Sequence, residues 1–121
     1  MLKRRRVIAI VEDDPGMLVA TEHLLNAHGL GTLVFASAEE FLASGSKSQA
    51  DCLLLDIGLR GMSGVELSRT LKMAGQALPT IFMTALEDEG MHQQALQEGV
   101  ACLHKPFPAA ELFDAIDKAV P

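Results

Sequence analysis

Asp51-Cys52-Leu53-Leu54-Leu55-Asp56 is an apolar run that stops abruptly at a carboxylate, and its reading decides the fold. A short apolar run between turn residues suits a strand buried on both faces of a parallel sheet. Ligands of such sheets bind beyond the strands' carboxyl ends, so Asp56 is expected at a binding rim. Packing offers a plainer account, in which a strand-terminal Asp caps the next turn. The pattern recurs upstream, however. Val7 to Val11 is an unbroken apolar and mostly β-branched run followed at once by Glu12, Asp13 and Asp14.

Outward from these two strands, the chain alternates. Asp14 before Pro15 is a natural N-cap with proline at the first helical position. Met17, Leu18, Thr21, Leu24, Leu25 and His28 then recur at helical spacing until Gly29, which predicts a helix over about Pro15 to His28. Leu33 to Phe35 is a short second strand, and Ser37 with Glu40 forms a capping box for a short helix through Phe41 and Leu42. A polar turn from Gly45 to Gln49 leads into the third strand, Cys52 to Leu55. After the loop Ile57 to Met62, Ser63 with Glu66 starts a helix carrying Val65, Leu67 and Leu71, ended by Gly75 and Pro79. Thr80 to Met83 is the fourth strand. Asp88 to Gln97 is a weakly amphipathic helix closed by Gly99, Val100 to Leu103 the fifth strand, and Leu112, Phe113, Ile116 and Val120 mark the inner face of a last helix. Five strands alternating with five helices over short connections predict an α/β fold: a three-layer α/β/α sandwich on a five-stranded, parallel, doubly wound sheet.

The whole chain sets limits on what this fold does. Its 121 residues are one domain's worth, and a hydrophobic fraction of 49% with a charged fraction of 21% is ordinary globular usage. No apolar run approaches the roughly 20 residues that span a bilayer, and the N-terminus lacks a signal peptide's apolar core, so a soluble cytoplasmic protein without membrane contact is expected. A net charge of -6 argues against direct nucleic-acid contact. The basic run Lys3-Arg4-Arg5-Arg6 reads as a solvated lead-in over residues 1–6 rather than a phosphate-binding arm. Cys52 and Cys102 each lie in an apolar run and are expected as reduced core residues. His23, His28, His92 and His104 show no transition-metal spacing, and His28 fits a helix C-terminus.

The strand ends carry the chemistry: Glu12 and Asp13 after the first, Asp56 after the third, Thr84 after the fourth and Lys105 after the fifth. Three carboxylates so close would take up protons unless a cation neutralised them, and an oxygen-only donor set selects a hard ion such as Mg²⁺. A lysine and a hydroxyl on the same rim supply the charge and the donor that a dianionic phosphoryl group needs. A carboxylate can be the nucleophile in such chemistry, and Asp56 is the best candidate. Asp14 is expected to cap its helix rather than to bind a ligand.

Taken together, Val11-Glu12-Asp13-Asp14, Leu54-Leu55-Asp56, Met62-Ser63-Gly64-Val65-Glu66-Leu67, Met83-Thr84-Ala85 and Lys105-Pro106-Phe107 resemble the receiver domains of two-component response regulators, which have a CheY-like (flavodoxin-like) fold. The resemblance covers nearly the whole chain. It implies that Asp56 accepts a phosphoryl group from a sensor histidine kinase. It implies further that Asp13, Asp56 and the Gly58 carbonyl bind Mg²⁺ (or Mn²⁺) with Glu12 assisting through water, and that Thr84, Ala85 and Lys105 form the phosphoryl-binding and switch set. A cis peptide before Pro106 is implied as well. Such a domain is regulatory, with only self-catalysed phosphoryl transfer and autodephosphorylation of its own. The stretches Ser37 to Leu42 and Met62 to Leu67 resemble receivers attached to helix-turn-helix transcription regulators. A transcriptional output is therefore expected, with no output domain within these 121 residues and with dimerisation through the last two helices and the fifth strand.

Three positions depart from the family pattern. Arg60 stands where proline is common, which predicts a more mobile or differently shaped loop; Gly58 puts no side chain at the carbonyl position. Cys102, three before Lys105, replaces the usual Tyr or Phe of the switch, so signalling is expected to pass chiefly through the Asp88 to Gln97 helix and its flanking loops. Two alternatives compete with a receiver that drives an output domain. One is a stand-alone, phosphate-shuttling receiver. The other is a Mg²⁺-dependent phosphohydrolase, disfavoured because Ile57 and Gly58 follow Asp56 where a second acid/base Asp is needed. Flavin binding fails because acidic residues replace a phosphate loop after the first strand.

Overall fold

A computed structural model describes residues 5–45, 49–85 and 89–121. The elements are β1 (Val7–Val11), α1 (Pro15–Ala27), β2 (Gly31–Phe35), α2 (Ala38–Ala43), β3 (Cys52–Asp56), α3 (Gly64–Met73), β4 (Thr80–Thr84), α4 (Glu89–Glu98), β5 (Ala101–His104) and α5 (Ala109–Ala119). All strands are parallel, in the order β2-β1-β3-β4-β5. The direction of winding reverses between β1 and β3, so helices cover both faces and a crevice opens where those two strands end.

Period-two alternation divides the core into two layers. Ile8, Ile10, Cys52, Leu54, Ile81 and Met83 face Leu25 of α1 with Leu112 and Ile116 of α5. Their neighbours Ala9, Val11, Leu53, Leu55 and Phe82 face Phe41 of α2, Leu67 and Leu71 of α3, and Ala95 of α4. Every residue of β3 and β4 is buried, which is why these strands read as continuous apolar runs.

Local signals set the helix ends. Asp14 Oδ1 accepts from the N–H of Gly16 at 3.0 Å and of Met17 at 3.3 Å, so it caps α1. Ser37 and Ser63 accept from the N–H of Glu40 and Glu66, the backbone halves of both expected capping boxes. His28 caps the C-terminus of α1 and stacks on Phe113 of α5, ring centroids 3.7 Å apart. At the start of β3, Asp51 Oδ2 accepts from the N–H of Val7 at 2.8 Å and ties the strand to β1. The start of α3 lies against the opposite end of the same strand. A Cβ on Gly64 would come within 2.7 Å of the Asp56 carbonyl oxygen, so only glycine permits that approach.

Several expectations shift. β3 extends to include Asp56, and β5 starts at Ala101, leaving Val100 half exposed before it. Helix α4 ends at Glu98; Asp88, expected as its first residue, lies outside the described residues, as do Lys3 and Arg4. Arg5 and Arg6 are not a simple solvated lead-in. Arg5 Nε donates to the Gly29 carbonyl at 3.3 Å, and Arg6 Nη1 donates to Asp117 Oδ1 at 2.9 Å and to the Val120 carbonyl at 3.0 Å. Each guanidinium thus meets carbonyls at or just beyond a helix C-terminus, where positive charge is favoured. Cys52 is fully buried, but Cys102 is only partly so; both are free thiols.

Two stability measurements follow from this packing. Gly64→Ala should lower the denaturation free energy by roughly 1–3 kcal/mol, because backbone rather than a flexible side chain must move. Gly16→Ala, whose new carbon would sit 3.5 Å from Asp14 Oδ1, should be neutral or stabilising; equal effects of the two would refute the close-packing argument. Burial also pushes the Cys52 thiol up to about 12 from 9.0. The unfolded chain therefore loses this proton first as pH rises, so the stabilisation is complete below pH 9 and is lost between 9 and about 12. Over that window wild-type stability should fall faster than that of Cys52→Ala, by up to about 1.4 kcal/mol per pH unit. Parallel profiles would show that Cys52 does not ionise on unfolding.

Candidate phosphoryl and metal site

Where β1 ends, the N–H of Glu12 donates to the Phe35 carbonyl at 3.1 Å, continuing the β1–β2 pairing by one residue. This turns the Glu12 side chain into the protein, where the residue is 1% exposed. The sequence suggested a rim charge; the fold makes it a buried one. Its Oε1 meets Lys105 Nζ at 2.6 Å, and its Oε2 accepts from the N–H of Asp14 at 3.3 Å. Burial first, then the Asp56 carboxylate, hold the Glu12 carboxyl above its usual range, against the pull of Lys105. Asp13, half-exposed, accepts from the N–H of Arg60 at 3.1 Å through Oδ2.

Asp56 is 8% exposed at the last position of β3. Its Oδ1 accepts from the N–H of Gly58 at 3.1 Å, and its Oδ2 lies 3.4 Å from Lys105 Nζ. One ammonium therefore spans Glu12 and Asp56. Burial alone would lower the Lys105 pKa, but hydrogen bonding to Glu12 and the Asp56 charge carry it above the ordinary lysine value. Lys105 enters the crevice at a fixed register, since its own N–H donates to the Thr84 carbonyl at 2.8 Å. The Lys105–Pro106 peptide is cis. Thr84 is buried at the end of β4, and Ala85 is exposed beside it.

Glu12, Asp13 and Asp56 each offer an oxygen within 4.8 Å of the others, the single such group of acidic, histidine or cysteine side chains among the described residues. One ammonium among three carboxylates leaves an excess of negative charge, and the donors are all oxygen, so the group suits a hard divalent cation. The crevice brings together Glu12, Asp13, Asp56 and Lys105; Thr84 and Ala85 stand at the end of the neighbouring strand β4, and Cys102 faces the α2–α4 side of the sheet. His23, His28 and His104 are not members of this group, and His92 carries no described side chain.

Three features escaped sequence reading. Gly64 was visible within its motif, but not its contact with Asp56. Glu39 Oε2 accepts from the N–H of Met62 at 3.1 Å, so the β3–α3 loop, expected to be more mobile or differently shaped at Arg60, is held by Asp13 on one side and Glu39 on the other. Glu98 at the end of α4 meets Arg69 Nε at 3.2 Å and Lys72 Nζ at 2.9 Å, both from α3, and these partners hold its carboxyl below the usual range. Cys102 pairs with Phe82 in the sheet and packs partly buried on the α2–α4 face, where burial raises its thiol pKa.

Comparisons with known proteins identify the family of this chain. The family model for the response regulator receiver domain matches residues 8–117. Response regulator protein TodT of Pseudomonas putida is 37% identical over 121 residues, covering 99% of this chain and 53% of that protein. The DNA-binding transcriptional regulator NtrC of Klebsiella pneumoniae is 34% identical over 118 residues, covering 97% of this chain and 25% of that one. Among solved structures, response regulator StyR superposes with a TM-score of 0.88 at 31% identity, covering 97% of this chain and 60% of that chain. The chain spans about half the length of TodT. No helix among the described residues is long and apolar enough to cross a membrane. Fold, crevice and sequence converge: the chain belongs to the response regulator receiver domain family, the regulatory domain of two-component signal transduction.

Proposed function

We propose that Asp56 is the phosphoacceptor, receiving its phosphoryl group from a phosphohistidine of a sensor histidine kinase. The observation that carries this is the buried bridge of Lys105 between Glu12 and Asp56, 2.6 Å from one and 3.4 Å from the other. In the transfer, the nitrogen–phosphorus bond of the donor breaks as an Asp56 oxygen bonds to phosphorus, and the released electron pair returns to the imidazole. Lys105 is placed to follow the new charge from the carboxylate to the phosphoryl oxygens, with the Thr84 hydroxyl and the Ala85 backbone at the same strand end completing their contacts. Low exposure of Asp56 limits the approach of water to the acyl phosphate.

Asp13, Asp56 and the Gly58 carbonyl would hold Mg²⁺ or Mn²⁺, with Glu12 acting through water. When bound, such an ion supplies the positive charge that lets several carboxylates and a phosphoryl group share one crevice. Glu12 keeps Lys105 oriented, and Asp13 keeps the β3–α3 loop close through Arg60.

Residues 1–121 form a single receiver domain working in the cytoplasm, without direct contact to membrane or nucleic acid. Its output is transcriptional, a reading supported by similarity to the DNA-binding transcriptional regulator NtrC. A homodimer through α4, β5 and α5 completes this reading; half-exposed Val100 beside a shallow pocket between β5 and α5, rimmed by Glu111, Asp114 and Lys118, supports it on the β5–α5 side. Cys102 is too small to swing between two positions as an aromatic ring does. The response therefore runs through α4, which has Ala95 as its one fully buried side chain among the described residues and is tied at its far end by Glu98.

Intact mass after incubation with Mg²⁺ and acetyl phosphate should show one added phosphoryl group on the wild type and none on Asp56→Asn or without metal; an adduct on Asp56→Asn would move the acceptor elsewhere. Amide exchange with and without fluoroberyllate should change most in α4 and its flanking loops. An α4 that stays the same while β5 changes would return the switch to the Cys102 strand.

A further inference from the structure

Glu39 belongs to neither the acidic group nor any charged bridge described above, yet two independent features of the β3–α3 loop are shaped around it. Its Oε2 accepts the N–H of Met62 at 3.1 Å, from 23 positions away. The same oxygen lies against Gly61, where a Cβ would approach it to 2.8 Å and where φ is +74°, a conformation that favours glycine. Met62 is thereby joined to the first turn of α2, so the Ser37 to Leu42 and Met62 to Leu67 stretches form one structural unit.

Asp13 and Glu39 grip successive parts of the loop, at Arg60 and at Met62, but their circumstances differ. Asp13 is one of the three clustered carboxylates, so a cation in the crevice draws on the same side chain that holds Arg60. Glu39 lies outside that group and keeps its acceptor for the loop. Mg²⁺ demands near-ideal octahedral geometry, so the placement of a loop carbonyl such as that of Gly58 bears directly on affinity.

We propose that Glu39 is a positioning residue for the cation: by holding Met62 it fixes the loop that carries Gly58 while Asp13 is engaged by the ion. The inference rests on the cation site proposed above. What matters is the hydrogen-bond acceptor and not the negative charge, and this separates the proposal from simple electrostatics.

Calorimetric titration of the full chain with Mg²⁺ and with Mn²⁺ would test it on the wild type, Glu39→Ala, Glu39→Gln and Glu40→Ala. Glu40 shares the helical turn and the charge, and its side chain hydrogen-bonds no part of the loop among the described residues. Glu39→Ala should weaken Mg²⁺ binding by about three- to tenfold. Glu39→Gln and Glu40→Ala should stay close to the wild type, and the Met62 amide resonance should shift in metal-free Glu39→Ala but not in Glu39→Gln. Unchanged affinity in Glu39→Ala overturns the positioning role while leaving the cation site standing. Equal weakening in Glu39→Ala, Glu39→Gln and Glu40→Ala also overturns it, by assigning the effect to charge. A wild type that binds neither ion overturns the site itself, and the role of Glu39 with it.

Discussion

Like charges gathered at the dry end of a sheet are the constraint around which this domain is built. Glu12 and Asp56 project from neighbouring strands that the apolar core forces together, and nothing in the backbone lets them separate. Lys105 offsets part of that repulsion from the other side of the crevice, reaching across β4 from the strand beyond it. Removing one partner of such a buried set leaves an uncompensated charge, a far larger penalty than the set's own modest net contribution. The core therefore holds the crevice in an arrangement that isolated side chains would avoid, and that tension makes it responsive to any added charge.

The sequence carries this site clearly because each of its residues follows a strand that can be recognised by itself. Val7 to Val11 and Cys52 to Leu55 are apolar runs, and in a parallel sheet all such runs end at one rim, so Glu12, Asp13, Asp56, Thr84 and Lys105 converge by topology alone. Burial was less legible. Glu12 follows its strand just as a rim residue would, and only the extra hydrogen bond to Phe35 turns it inward. Contacts between helices and loops were invisible for a different reason. Whether Glu39 meets Met62, or Glu98 meets Arg69 and Lys72, depends on which helices share a face of the sheet and at what height, and neither is written in local periodicity. Arg5 and Arg6 were misread similarly: a basic run looks solvated until the helix ends it caps are brought beside it.

Cys102 marks where this chain departs from the aromatic residue expected at its position. On β5 it faces the same side of the sheet as Phe82, α3 and α4, and a thiol there fills little of the space an aromatic ring would sweep. The end of α4 is closed by Gly99, packed so tightly on Phe82 that a Cβ would come within 2.7 Å of the ring, and by the Glu98 bridges.

Arg6 bears on how the domain combines with others. By bridging the entry to β1 and the Asp117 carboxylate and Val120 carbonyl at the end of α5, it brings the first and last elements of the domain together at the end of the sheet opposite the acidic crevice. A unit whose two ends lie together behaves as a closed cassette: it can be spliced into different polypeptides without opening its core. The acidic crevice lies at the opposite pole of the sheet, so this closure is made without drawing on any of its side chains.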